Sequence, residues 1–182
     1  MVNAIGFLEL NSIAKGIKAT DMLIKAADVK LIFARASCPG KFYILFSGTV
    51  SAVNASMNAG LSISRENVVD HVVIAQIDPQ VLYAINQTGQ PNMSGALGVM
   101  EFFSVTAAVY AADAAAKAAR VNLLDVRIGT GIGGKSFVTL TGDVGAVNVA
   151  VKAGIENENV QGLIIGSVVI PKPSEQLYAS LY

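Results

Sequence analysis

The chain repeats itself, and this constrains its possible folds more than any other feature of the sequence. Ala4-Ile5-Gly6-Phe7-Leu8-Glu9 reads against Ala96-Leu97-Gly98-Val99-Met100-Glu101. Downstream, Ser12 meets Ser104, Asp21 meets Asp113, and Lys25-Ala26-Ala27 meets Lys117-Ala118-Ala119. After a small insertion, Gly40-Lys41 meets Gly134-Lys135, and Ser47-Gly48-Thr49-Val50 meets Thr141-Gly142-Asp143-Val144. Val53-Asn54 then meets Val147-Asn148, Gly60 meets Gly154, and Ile77-Asp78-Pro79 is aligned with Val169-Ile170-Pro171. The period is roughly 90 residues, long enough for a whole domain and too long for a solenoid unit. The expected organisation is one domain over 1–88, a turn-rich linker over 89–95 and a second domain over 96–182.

Each half has the same order of elements. A strand comes first (Ala4 to Leu10; Ala96 to Phe102), then a helix. Ile13, Ile17, Thr20, Ile24 and Ala27 recur at helical spacing, as do Val105, Val109, Ala112, Ala116 and Ala119. Next come a strand around Val29 to Ala34 (Val121 to Ile128), a loop, and a strand after Lys41 (Lys135). Thr49 and Asp143 stand where a second helix needs an N-cap, and Gly60 and Gly154 where its end would take a left-handed residue. A last apolar strand is expected to end at Pro79 or Pro171. Each half thus reads as an α/β (α+β) sandwich of one sheet and two main helices.

Composition narrows the function classes. Thirteen Lys and Arg balance thirteen Asp and Glu, so no net charge draws the chain to nucleic acid or anionic lipid. Only 14% of its 182 residues are charged, against roughly 25% in an ordinary domain. So little polar surface implies that much of the exterior is covered by copies of the same chain. A single cysteine excludes an internal disulfide framework. The N-terminus has no signal-peptide pattern, and the uncharged stretch from Phe42 to Ser64 is broken by Gly48, Asn54 and Asn58. The expectation is a cytosolic protein with no membrane span.

The motifs A-I/L-G-x-L/M-E, D-x-x-x-K-A-A, G-K before a strand, G-T/D-V-x-x-V-N and the terminal Val169-Ile170-Pro171-Lys172-Pro173 occur in order. Together the repeated halves resemble the bacterial microcompartment (BMC) shell domain. Two domains in one chain are similar to the tandem, non-permuted shell proteins, whose homotrimers imitate a hexagonal tile. The resemblance implies a structural rather than enzymatic role. Such tiles pack edge to edge with other shell proteins into the facets of a protein organelle in the cytoplasm, and each is perforated on its symmetry axis. It implies pore-lining loops containing Ser37, Cys38, Pro39 and Gly40 in the first half and Gly131, Ile132 and Gly133 in the second. It also implies tile-edge contacts at Lys25, Lys117 and Lys172. The family usually has Arg between its final prolines, where this chain has Lys172, and the first half has Asp78-Pro79-Gln80 instead.

Cys38 invites a more specific reading. Most free cysteines are inert and buried, but Ser37, Pro39 and Gly40 are turn formers and argue for a loop. The S-C-P-G-K loop is similar to that of the tandem shell proteins of propanediol-type microcompartments, in which a 4Fe-4S cluster plugs the pore. By that resemblance Cys38 is the metal ligand, one from each chain of a trimer. Such clusters normally take four cysteines, so the fourth ligand would be water, a small thiol or a partner. The cluster would pass electrons to a redox partner enzyme or report redox state. The alternative is an open pore for small metabolites with Cys38 a bystander.

Other motifs have simpler readings. Gly129 to Ser136 satisfies the phosphate-loop pattern, but backbone amides cradle phosphate there only if a helix follows. Phe137-Val138-Thr139-Leu140 reads as a strand, so a flexible loop is expected rather than a nucleotide site. His71, the only histidine, stands alone near the start of a strand and suits a surface or interface position. Glu9 and Glu101 are repeat mates, and their place in a repeated strand favours structural pairing over acid–base catalysis. No nucleophile–base–orienter set and no basic-aromatic stripe is present.

Overall fold

The computed structural model describes residues 4–88, 94–129 and 131–181. Residues 89–93 of the expected linker, and Thr130 of the glycine loop, lie outside the described residues. The first half runs β1 (Ala4–Leu10), α1 (Ile13–Ala26), β2 (Val29–Ser37), β3 (Lys41–Gly48), α2 (Val50–Ser64), β4 (Val68–Ala75) and α3 (Pro79–Asn86). The second runs β5 (Ala96–Phe102), α4 (Val105–Ala118), β6 (Asn122–Ile128), β7 (Ser136–Gly142), α5 (Val144–Ile155), β8 (Ile164–Ile170) and α6 (Glu175–Leu181). The strands form two four-stranded antiparallel sheets, ordered β2-β3-β1-β4 and β6-β7-β5-β8. By contacts the chain divides into two compact units. The first holds the residues as far as Ile77 together with the segment Gly129–Gly133, and the second holds Asp78–Ile128 and the residues from Gly134 onward. Among the described residues no helix is long and apolar enough to cross a membrane.

All of β1 and most of β5 is buried whichever sheet face a residue points to, which is why these strands read as continuous apolar runs rather than alternating ones. In the first unit Leu8, Leu10, Phe42, Ile44 and Phe46 on one sheet face pack with Ala19 and Leu23 of α1 and Val53 and Met57 of α2. The glycine of the opening motif belongs to this packing. A Cβ at Gly6 would strike the Phe46 ring, and one at Gly98 would strike Val151, Leu140 and Val147. Ser12 and Ser104 cap α1 and α4 by accepting from the amides of Lys15 and Ala107. Thr49 caps α2 by accepting from the Ala52 amide at 3.2 Å, whereas Asp143, at the corresponding N-cap, makes no such side-chain bond.

Four local expectations are corrected. Gly60 and Gly154 do not end their helices. α2 continues to Ser64 and α5 to Ile155. A Cβ on Gly60 would stand 3.2 Å from Leu8 Cδ2, and one on Gly154 would strike Met100 Sδ. These glycines serve close packing, not a left-handed turn. Second, β4 ends at Ala75, and Pro79 opens α3. Asp78 caps that helix by accepting from the Gln80 amide at 2.9 Å, so Asp-Pro is a helix start. Third, the closing strands set the repeat alignment. Ile5 faces Ile74 and Leu97 faces Ile170, so Ile74 matches Ile170 and Ala75 matches Pro171. Lys172 therefore corresponds to Gln76, a residue of positive φ, and not to Pro79 or Gln80. His71 likewise sits in the middle of β4 and not at its start.

Candidate functional site

The strand pair β2–β3 is closed by a tight hairpin. Ser37 faces Lys41 at its end, and Cys38, Pro39 and Gly40 make the turn. Gly40 takes φ of 74°, which a side chain would resist. Cys38 is exposed at the tip and has no disulfide partner. The expectation of a loop cysteine, rather than a core thiol, is what the structure has. The corresponding β6–β7 connection is longer, and Gly129, Gly131, Gly133 and Gly134 all have positive φ. Strand β7 follows it, not a helix, so the phosphate-loop pattern has no N-terminal dipole behind it.

Beneath the Cys38 turn lies a group of buried polar side chains that sequence reasoning did not assemble. Glu9 on β1 faces Tyr43 on β3 and Asp70 on β4, so these three share one sheet face. Lys41 Nζ donates to Glu9 Oε1. The motif glutamate and the lysine of the G-K motif are thus partners, and Lys135 pairs with Glu101 in the same way at 3.3 Å. The two pairs differ in setting. The Lys41 and Glu9 side chains are 21% and 1% exposed, those of Lys135 and Glu101 48% and 40%. Glu9 Oε2, Tyr43 Oη and Ser37 Oγ are buried without hydrogen-bond partners among the described residues. Both hydroxyls close on the α-carbon of Gly129, where a Cβ would collide with Tyr43 Oη and Ser37 Oγ. Gly129 is therefore required twice, for its φ of 66° and for this approach.

Electrostatics follows from burial. Desolvation pushes the Glu9 carboxyl above its ordinary 4.5; the Lys41 hydrogen bond and charge pull it back, and Asp70 adds to the rise. Burial, together with the negative charge of Glu9, pushes the Tyr43 hydroxyl up to about 12; the Ser37 hydroxyl, beside Tyr43 Oη but out of line for a hydrogen bond, acts in the opposite direction, and Cys38 adds to the rise. The signal for this group was present in the sequence as a difference between the repeats. Tyr43 stands where the second half has Phe137, each opposite the motif glutamate.

The remaining candidate residues are spread out. Lys25 pairs with Asp21 at 2.7 Å and Lys117 with Asp113 at 2.6 Å, each one helical turn apart. Lys172 is exposed just beyond β8. Gly131 and Gly133 are exposed and Ile132 is half-buried. His71 lines an open cavity of about 660 Å³ with Asn58, Leu61, Ser62, Arg65 and Val68. Among the described residues no group of three or more His, Cys, Asp or Glu could hold a metal ion. One chain offers a single exposed thiol, so a polynuclear iron–sulfur cluster fits only where several chains bring Cys38 together.

Comparison with known proteins places this architecture. The family model of the BMC domain matches residues 4–77 and 96–173. The bacterial microcompartment shell protein PduT of Citrobacter freundii is 40% identical over 181 residues, covering 100% of this chain and 98% of that protein. The carboxysome assembly protein CcmO of Synechococcus elongatus is 29% identical, across 98% of this chain and 68% of its own length. The crystal structure of a microcompartment protein from Desulfitobacterium hafniense superposes with a TM-score of 0.91 at 44% identity, covering 98% and 99% of the two chains. With a four-stranded sheet and its helices built twice from one repeated sequence, the chain belongs to the BMC domain family and carries that domain in tandem.

Proposed function

We propose that the protein is a structural shell component of a bacterial microcompartment, not an enzyme, and that it works as a homotrimer packed edge to edge with other shell proteins. The observation that carries this reading is the doubled BMC domain, matched along the whole chain by a microcompartment shell protein. The low charge content agrees, because a tile must cover its sides with neighbours. In this reading the Cys38 turn and the loop containing Gly131, Ile132 and Gly133 line a central pore, and Lys25, Lys117 and Lys172 lie at tile edges.

Three Cys38 thiolates on the trimer axis would hold one 4Fe-4S cluster, with the fourth iron bound by a ligand from outside the chain. The exposed turn supports this, since it presents the thiol without a competing partner. When bound, such a cluster supplies one-electron transfer, which suits exchange with a redox partner enzyme or redox sensing. The chain's own contribution is to fix the turn. The Glu9–Lys41 pair anchors the strand base, and Tyr43 and Ser37 stand under the loop.

Anaerobically purified protein tests both parts. A trimer in solution carrying about four irons and four sulfides per three chains is expected. Cys38→Ser should keep the trimer and lose all iron, sulfide and visible absorbance. A stable monomer would end the tile reading. Colourless, iron-free wild-type protein, or full iron in Cys38→Ser, would end the cluster and leave an open metabolite pore.

A further inference from the structure

The two repeats match strand for strand, yet their terminal helices are used differently. α3 is docked in the second unit against α4 and β6. Val81, Ala84 and Ile85 are buried there. Two hydrogen bonds fix it. The Asp78 amide donates to Asp113 Oδ1 at 2.8 Å, and the Leu123 amide donates to Gln80 Oε1 at 3.1 Å. Asp113 is held in place by Lys117 one turn on.

Every participant has a repeat mate. Asp21 matches Asp113 and keeps its own lysine, Lys25. Leu31, opposite Phe46 on β2, matches Leu123, opposite Leu140 on β6. The alignment set by Ile74 and Ile170 carries Asp78 onto Ser174, Gln80 onto Gln176, Val81 onto Leu177 and Ile85 onto Leu181. The sequence therefore encodes this docking twice, whereas one chain makes it once.

The unused halves are open. The Asp21 side chain is 58% exposed against 10% for Asp113. Ile17 is 60% exposed where its mate Val109 is fully buried, and Ile13 is exposed where Val105 is buried. Tyr178 holds α6 to its own unit through Thr141 and Gly95, and Leu177 is half-buried against Leu97 and Leu124 of that unit, but Ser174, Glu175 and Gln176 face outward. Leu181 is exposed where Ile85 is buried.

We infer that α6 of one copy docks on the α1–β2 edge of a second copy, with Asp21 accepting the Ser174 amide and Gln176 accepting the Leu31 amide. The occupant is a second copy because this chain itself carries both the mate of α3 and an open mate of the surface on which α3 docks. The contact joins two different surfaces, head to tail, and so builds a ring when the rotation closes. The inference rests on the homotrimer proposed above and names the residues that close it.

Asp21→Ala and Gln176→Ala, singly and together, test it by sedimentation of the full chain across a dilution series, with circular dichroism as the check on folding. Both side chains are exposed, so the fold is not at stake. The double variant should weaken the trimer about tenfold or more while its spectrum stays native. In a Cys38→Ser background, Asp21→Cys with Ser174→Cys should oxidise to disulfides between chains, giving a ladder that stops at three. A wild-type monomer would sink the trimer reading and this inference together. A wild-type trimer whose variants dissociate unchanged, or a cysteine pair that links only within one chain or not at all, would overturn the inference alone.

Discussion

Tyr43 offers a sharp test of how the Cys38 turn is supported. Its ring is fully buried and its hydroxyl has no partner among the described residues. A buried, unsatisfied hydroxyl costs about 1–3 kcal/mol relative to an apolar group of the same shape. The second repeat shows that the shape is acceptable, since Phe137 occupies the same register opposite Glu101. Tyr43→Phe should therefore stabilise the protein by about 1 kcal/mol at neutral pH. A second consequence appears at high pH. The phenol is raised from 10 to about 12, so the fold favours its neutral form. That contribution is fully present below pH 10 and is lost as pH rises from 10 through 12. Two units correspond to about 3 kcal/mol. Wild type should lose stability over this window by about that much more than Tyr43→Phe, with lysine titration common to both. Urea unfolding at fixed protein concentration, repeated between pH 7 and 12, measures both effects. A loss of more than about 1 kcal/mol at pH 7 would show that the hydroxyl has a partner that matters, and parallel alkaline limbs would show that it is not desolvated.

Lys41→Met strands the buried Glu9 carboxylate and should cost about 3–5 kcal/mol at pH 7, while Lys135→Met, from the exposed pair, should cost about 1 kcal/mol or less. The raised Glu9 carboxyl sets the pH dependence of the Lys41→Met defect. Its contribution is present below pH 4.5 and lost as pH rises through the folded value, so the defect should shrink on acidification in denaturant titrations at pH 7 and pH 4. Gly129→Ala and Gly131→Ala separate strain from collision. Both glycines have positive φ, but only Gly129 lies against Tyr43 and Ser37. Gly131→Ala should cost about 1 kcal/mol and Gly129→Ala about 2–4, measured by the same unfolding curves; equal costs would remove the wedge from the account.

Much of the architecture was legible in the residues because it rests on local rules. The repeat announced two like domains, and helical and strand periodicities placed β1, α1, β5 and α4 close to their observed ranges. Ser37, Pro39 and Gly40 put Cys38 on a turn, since those residue types favour bends whatever surrounds them. The misreadings arose where tertiary contact outweighed a local signal. Gly60 and Gly154 looked like helix ends, but they admit Leu8 and Met100 to the helix surface. Pro79 looked like a strand end, but Asp78 makes it a helix start.

Sequence alone thus determined the doubled fold, the strand–turn context of Cys38 and the absence of a phosphate-binding helix after the glycine loop, because each depends on neighbours in the chain. Tertiary structure decided the rest. Register brought Glu9 beside Tyr43 and Asp70 and joined Lys41 to Glu9 across 32 positions. It also gave one glutamate–lysine pair a buried setting and its repeat mate an open one. Burial depends on what packs over a residue, and two nearly identical stretches of sequence can be covered differently. That is why the repeats, alike in pattern, differ in chemistry.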